Sequence, residues 1–376
     1  MRRFSLTTTA ALMAGGLWLC GCSSSQPGGA DPKPPADGTP SGAVTEGPKP
    51  VFSLAWSEYP SWSVFGVADE YKLIDGKEGQ LATIEKKYGV DIVLKEAPYD
   101  ACLNYYGSDT VDAVCVTNMD ALNPSLSRTS VAIMPTSTSD GADALIVVDI
   151  PNVEELRNHK VYGLKGTVSE YCFVRNLELK GEKESDHKFE NLDPAAAALN
   201  MQNNNPDQKA IMVWNPFVLQ TLKSRPEAKV LFDSTSIPDE IVDMVVVAEA
   251  ALKKPGGKQF ALAILDTFYE FNKIMADPKE GDEALVDLGK KFSSLNLEEM
   301  KKAVTQTKFY GTPEEALGLM EGETFPKTME TVVKFCVDHE IVRSQPKVAF
   351  GDAAAAPNAH FRIDPTYLRE YAASKK

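Results

Sequence analysis

The side chains of this chain that could do chemistry sit just after apolar runs. Trp56, Glu58, Tyr59 and Trp62 follow or end the run VFSLAW at residues 51–56. Asn118 follows DAVCVT, with Thr117 and Asp120 beside it, and Ser137, Thr138 and Asp140 lie in the polar stretch PTSTSDG. Trp214 and Asn215 close the run AIMVW. Thr167, Val168 and Ser169 lie within KVYGLKGTVSEYCFVRNL, residues 160–177. That stretch reads as a strand, a glycine turn and a helix. Thr167 and Glu170 fit a capping box, and the helix start presents free N–H groups and a partial positive charge to acceptor atoms. Gly163 and Gly166 allow a tight turn and a close approach to a ligand. The chemistry these types offer is non-covalent capture of a small molecule, with Trp56 and Trp214 as flat apolar walls. Core packing is the competing reading of each aromatic residue. Ordinary capping or turn bonding is the competing reading of Thr167, Asn118 and Thr138.

Catalysis has no comparable constellation. His159, His187, His339 and His360 are scattered singly, and neither a CxxC nor a Cys/His cluster occurs, so no metal site is expected. No nucleophile stands beside a base. The expectation is a binding protein with no catalytic residue and no cofactor. A formal net charge of −14 argues against nucleic acid as a partner.

The elements that must position these residues alternate. Strands are expected at 51–56, 90–94, 112–117, 131–134, 144–148, 189–192, 210–214, 230–232 and 241–248, with helices between them. That order predicts an α/β fold with mostly parallel sheets. From residue 259 the pattern is helical, at 260–275, 282–292, 297–307, 313–320, 325–339 and 365–373. The organisation expected is one α/β unit over 51–141, a second over 142–242, and a helical part over 243–376 that returns to pack on the first.

The chain has 376 residues, 43% of them hydrophobic, enough for two or three domains with full cores. Its N-terminus reads as an export signal over residues 1–21. Arg2 and Arg3 form a charged region, and 6–19 is an apolar stretch too short to span a bilayer. Leu19-Cys20-Gly21-Cys22 resembles the lipobox of bacterial lipoproteins, although Cys20 departs from the small residue common at its place. The match implies lipidation of Cys22, with a plain secretory signal as the alternative. Cleavage removes two arginines and no acid, which moves the charge from −14 to −16. Residues 22–50 are rich in Gly, Pro, Ser and Ala and read as a disordered tether with a reach on the order of 30 Å. Cys102, Cys115, Cys172 and Cys336 allow disulfides in an exported protein, but their apolar surroundings favour buried free thiols.

The order and spacing of VDAVCVTNMDAL, VAIMPTSTSDGADALIVV, PNVEELRNHKVYGLKGTVSEY, NLDPAAAALNM, KAIMVWNPF and IPDEIVDMVVVAEAAL resemble the substrate-binding proteins of ATP-driven importers. The resemblance is to the type II periplasmic-binding fold, in the nitrate/sulfonate/taurine group that also includes binders of thiamine-pyrimidine precursors. It implies two lobes joined by two crossings, near 139–141 and 239–243, with a ligand cleft between them. It further implies a monomer that captures a small nitrogen- or sulfur-containing solute by cleft closure and delivers it to an ABC permease. The chain would be exported and lipid-anchored, at the periplasm or cell surface. Members that hold sulfonate or nitrate need donors, often a cation. The candidates here bring Glu58, Asp120 and Asp140, with Lys165 as the one nearby cation, which leans the solute towards a neutral or cationic nitrogen compound. A solute-sensing lipoprotein for a membrane receptor is the alternative. An enzyme on the same fold, as in thiamine-pyrimidine synthesis, would require a cysteine-rich iron-binding segment that this sequence lacks.

Overall fold

The computed structural model describes residues 48–292 and 294–376. The export signal, Cys22 and the tether up to residue 47 lie outside the described residues. Four strands come first: β1 Val51–Trp56, β2 Asp91–Glu96, β3 Ala113–Thr117 and β4 Ser130–Ser139. Five follow: β5 Asp143–Val147, β6 Lys160–Gly163, β7 Lys188–Asn191, β8 Ala210–Trp214 and β9 Lys229–Asp233. The last four are β10 Val242–Ala248, β11 Thr307–Phe309, β12 Val348–Phe350 and β13 Phe361–Ile363.

Two sheets result. The first runs β12-β13-β4-β10-β3-β1-β2, with β11 beside β4, and the second runs β7-β6-β8-β5-β9. Both are mixed rather than mostly parallel. β10 lies antiparallel between β3 and β4, and β5 lies antiparallel between β8 and β9. Among the strands buried along their whole length are the near-continuous apolar runs AVCVT, DALIV, AIMVW and VDMVVVA. β11, β12 and β13 are only three residues each, too short to show a period in sequence.

The C-terminal part packs on the first sheet. The helix Gly257–Ala276 carries Phe260, Ile264, Phe268 and Phe271 on one buried stripe. Phe260 stacks on Phe52 of β1 with ring centroids 4.7 Å apart. Asp266 of that helix accepts from the Tyr371 hydroxyl at 3.1 Å and meets Lys87 at 2.5 Å. This ties both chain ends into one lobe. The second sheet, with the helices Val168–Leu179, Pro194–Gln202 and Phe217–Ser224, makes the other.

Two crossings join the lobes, and hydrogen bonds hold both. At the first, Ser234 Oγ lies 2.8 Å from Ser139 Oγ and accepts from Gly141 N at 2.7 Å. At the second, Asn118 donates to Glu240 O at 3.1 Å and accepts from Val242 N at 3.1 Å, and Thr138 Oγ1 donates to Ile241 O at 2.9 Å. Asn215 of the second lobe donates to Gln306 of the first at 3.0 Å. Among the described residues no helix is long and apolar enough to cross a membrane. Cys102, Cys115, Cys172 and Cys336 are buried free thiols.

Candidate functional site

β1 ends at Trp56, and the chain turns through Ser57-Glu58-Tyr59 into the short helix Ser63–Val67, with Tyr59 O accepting from Ser63 N at 2.8 Å. This turn brings Tyr59 and Trp62 together, their rings 4.8 Å apart. Pro98 then starts the helix Tyr99–Gly107, and Tyr99 stacks on Trp62 at 5.6 Å and 12°. On the opposite lobe, β8 ends at Trp214, which meets Tyr99 edge-on at 5.7 Å. An aromatic row therefore runs from one lobe to the other.

Behind the row lies a small cavity of about 20 Å³. Its walls are Tyr59, Trp62, Tyr99 and Trp214, with Thr117, Val168 and Ile241 filling the gaps. Asp143 and Asp243 complete the lining. Strand register explains both acids. Asp143 opens β5 directly opposite Trp214 on β8. Asp243 lies near the start of β10, opposite Thr117 on β3 and Ser137 on β4. Outside the row is an open mouth of about 640 Å³, where Tyr99 and Trp214 recur. Glu58, Glu96, Asp100 and Asp193 line that mouth, as does Phe217. No lysine, arginine or histidine among the described residues lines either space.

The electrostatics are those of buried acids. Burial pushes the Asp143 carboxyl up to about 7, opposed by the Ser139 hydroxyl and assisted by the Asp120 charge. Burial drives Asp243 well above the carboxylate range, against a hydrogen bond from Ser137. Asp120, just outside the lining, accepts from Tyr99 Oη at 2.8 Å and from Thr117 Oγ1 at 3.0 Å, and burial still raises it to about 6. Tyr59 Oη and Trp62 Nε1 are buried without a hydrogen-bond partner. The Tyr59 hydroxyl is near Asp243 and Thr307, whose own hydroxyl is also unpartnered, but no hydrogen bond is in place.

The expected site residues divide. Tyr59, Trp62, Val168 and Trp214 line the small cavity, and Glu58 and Trp214 line the mouth. Trp56 does neither: it is buried in the first lobe against Gly66, where an added Cβ would stand 2.3 Å from its indole. Asn118 and Thr138 are occupied in tying the second crossing, as Asn215 is in reaching Gln306. Ser137 acts on Asp243 rather than on the cavity, donating to it at 2.6 Å. Asp140 is exposed, its N–H bonded to Gln306 O at 2.8 Å. Thr167 caps its helix by accepting from Ser169 N, while Ser169 Oγ is buried without a partner and off the lining. The capping box is shifted by one residue, because Glu170 accepts from Gly166 N at 2.7 Å instead of from Thr167 N. The acceptor facing this helix start is the chain's own, since the Val168 N–H opposes the rise of Asp120. Gly163 has its reason in packing: a Cβ there would lie 2.7 Å from Met212 O on β8. Asp143, Asp243, Tyr99 and Ile241 line the cavity, and Glu96, Asp100, Asp193 and Phe217 the mouth, without being among the residues expected from the sequence.

No protein-family model matches the chain, and no curated protein matches it. Solved structures do. The periplasmic aliphatic sulphonate binding protein SsuA from Escherichia coli is 18% identical at a TM-score of 0.62, over 79% of this chain and 94% of that one. The alkanesulfonate-binding protein SsuA from Xanthomonas axonopodis pv. citri, bound to MOPS, is 12% identical at 0.64, over 84% and 100%. The periplasmic nitrate-binding protein NrtA from Synechocystis PCC 6803 is 13% identical at 0.53, over 87% and 99%. With two sheets, two crossings and a cleft between them, the chain has the two-lobed type II periplasmic-binding-protein fold.

Proposed function

We propose that this chain is an extracytoplasmic solute-binding lipoprotein of an ABC importer. It captures a small nitrogen- or sulfur-containing solute between its lobes and performs no reaction on it. The observation that carries this reading is the cavity lined by Tyr59, Trp62 and Tyr99 from one lobe and by Asp143, Val168 and Trp214 from the other. A solute held by both sides binds the closed arrangement better than an open one, and that difference in affinity shifts the population towards closure. The fold's likeness to sulfonate- and nitrate-binding proteins of importers supports the same role. Lipidation at Cys22 and the tether after it would hold the protein at a membrane as a monomer, near the permease that reads its closure.

The test is a thermal-shift screen of the full-length lipoprotein in detergent against nitrate, sulfonates, taurine, amides, amines, polyamines and pyrimidines. A ligand at 100 times its dissociation constant stabilises by about 2.7 kcal/mol. Small-angle scattering on any hit should show a smaller radius of gyration. A hit with no compaction would remove closure from the account, and a hit converted to product would remove the non-enzymatic reading. Cys22→Ser should move the protein from the membrane fraction to the soluble fraction, and retention at the membrane would sink the anchor.

A further inference from the structure

We propose that the small cavity receives the primary ammonium head of a small organic cation, with Asp143 and Asp243 as its counter-charges and the four aromatic residues as its walls. This rests on the solute-binding reading above and names the class of solute.

Charge is the first argument. Asp143 and Asp243 are each only 1–2% exposed, and among the described residues the only formal charges on the lining are theirs. The basic residues Arg175 and Lys165 of the second lobe have acidic partners of their own. Arg175 pairs with Glu240 at 2.9 Å, and Lys165, more than half exposed, faces Glu170 at 3.9 Å. A sulfonate or nitrate here would meet two carboxyl groups with no cation to offset them. A cation does the reverse, because it gives buried carboxylates the opposite charge they lack.

Unmet polar groups are the second argument. Tyr59 and Trp62 line the cavity and are 4% and 3% exposed; Trp62 Nε1 has no partner, and Tyr59 Oη, with Asp243 and Thr307 near it, makes no hydrogen bond of good geometry. Such groups are costly to bury unpaired, and an occupant of the cavity can satisfy them. Tyr59 can accept from an ammonium. Indole N–H is a donor only, so an oxygen near the ammonium, from the solute or from a water, meets Trp62.

Shape is the third. A space of about 20 Å³ holds one water-sized group. A primary ammonium head is of that size and a trimethylammonium is not. The rest of the solute has the open mouth, which Tyr99 and Trp214 share with the cavity. The aromatic faces favour a cation over a neutral head. Glu96, Asp100 and Asp193 at the mouth suit a second positive charge.

Calorimetric titration of the full-length protein at pH 8 tests this with putrescine, ethanolamine, choline, ethanesulfonate and nitrate. Putrescine or ethanolamine should bind, choline at least tenfold more weakly, and the two anions not at all. Asp143→Asn should weaken amine binding at least tenfold while leaving the ligand-free melting temperature unchanged or raised, which a purely structural aspartate would not do. Asp243→Asn should weaken it in the same direction. Binding of ethanesulfonate or nitrate in place of the amines overturns the ammonium assignment and leaves the solute-binding reading standing. Choline binding as tightly as ethanolamine overturns the primary-head assignment. Unchanged amine affinity in a folded Asp143→Asn protein overturns the counter-charge. Failure of all five compounds overturns this inference; the wider screen described above then decides the solute-binding reading.

Discussion

Ser137 Oγ donates to Asp243 Oδ2 at 2.6 Å, and the two residues are register partners on β4 and β10. Ser137 Oγ is also 2.8 Å from Ser61 Oγ, which is 3.0 Å from Thr136 Oγ1. The Ser137 hydroxyl thus lies between Asp243 and Ser61, and its bond to the carboxylate favours the charged form of Asp243, against the burial that disfavours it.

Ser137→Ala removes that hydrogen bond. At pH 8 the variant should lose about 0.5–3 kcal/mol in urea unfolding, the span from a neutral to a charged partner. Because burial raises the Asp243 carboxyl and the bond opposes the rise, the loss should shrink as the pH falls. A loss within about 0.5 kcal/mol of zero at both pH 8 and pH 5 would show that the Ser137 hydroxyl does not support the acid.

Trp56 gives a second expectation. A Cβ at Gly66 would lie 2.3 Å from Cη2 and 2.5 Å from Cζ2 of that indole. The ring is buried at 2% exposure and has no free end to swing away. Gly66→Ala should therefore cost about 1–3 kcal/mol, as overpacking does, and leave ligand affinity untouched. A change in affinity without a change in stability would return Trp56 to the cleft.

Strands β1 to β10 were legible because most are short apolar runs bounded by turn residues, the two crossings followed from the family resemblance, and the three-residue strands β11 to β13 were not legible. The site was legible where a side chain sits at or just after the end of such a run, as Tyr59, Trp62 and Trp214 do, or at a helix start behind a glycine turn, as Val168 does. Asp243 lies inside the apolar run IVDMVVVA, and Asp143 heads the run DALIV. An acid in a strand buried on both faces is a signal in itself, because an isolated carboxylate does not belong there without a task. The reading looked for acids in loops instead and chose Asp140, three residues away and exposed. Tyr99 follows Pro98 at a helix start, and nothing local shows that it will stack between Trp62 and Trp214 from opposite lobes. That depends on how the lobes meet, which one sequence does not encode in any short window.

The buried acids set a pH dependence whose sign can be worked out. Asp143 has an ordinary pKa of 3.8 unfolded and about 7 when folded. Between those values the folded chain keeps a proton that the unfolded chain has lost, so stability falls as pH rises from about 4 to about 7 and then levels. Asp120 and Asp243 act in the same direction, as does His339, held protonated by Glu184. The charged and titratable neighbours of Asp143 are Asp120, Asp243, Tyr59 and Cys172. The ligand-free protein should unfold at lower urea concentration at pH 8 than at pH 5. Asp143→Asn should raise the pH 8 stability by about 1 kcal/mol or more and shrink the difference. Equal midpoints for the parent at both pH values would remove the charge burden from the cavity.

Trp214 separates binding from folding most directly. It is 8% exposed, touches Tyr99 and Phe217, and belongs to the wall of both the cavity and the mouth. Removing the indole takes away a cation-attracting face worth about 0.5–2 kcal/mol along with packing worth about 3 kcal/mol. Domains commonly hold about 5–15 kcal/mol in reserve, so Trp214→Ala should still melt in one transition at a lower temperature. Its affinity for a bound amine should fall roughly tenfold, and Trp214→Phe should recover part of the loss, because a smaller ring keeps the same kind of face. If both variants bind as tightly as the parent, the solute does not reach the junction of the two spaces, and the row of aromatic rings is only the packing that seals the lobes together.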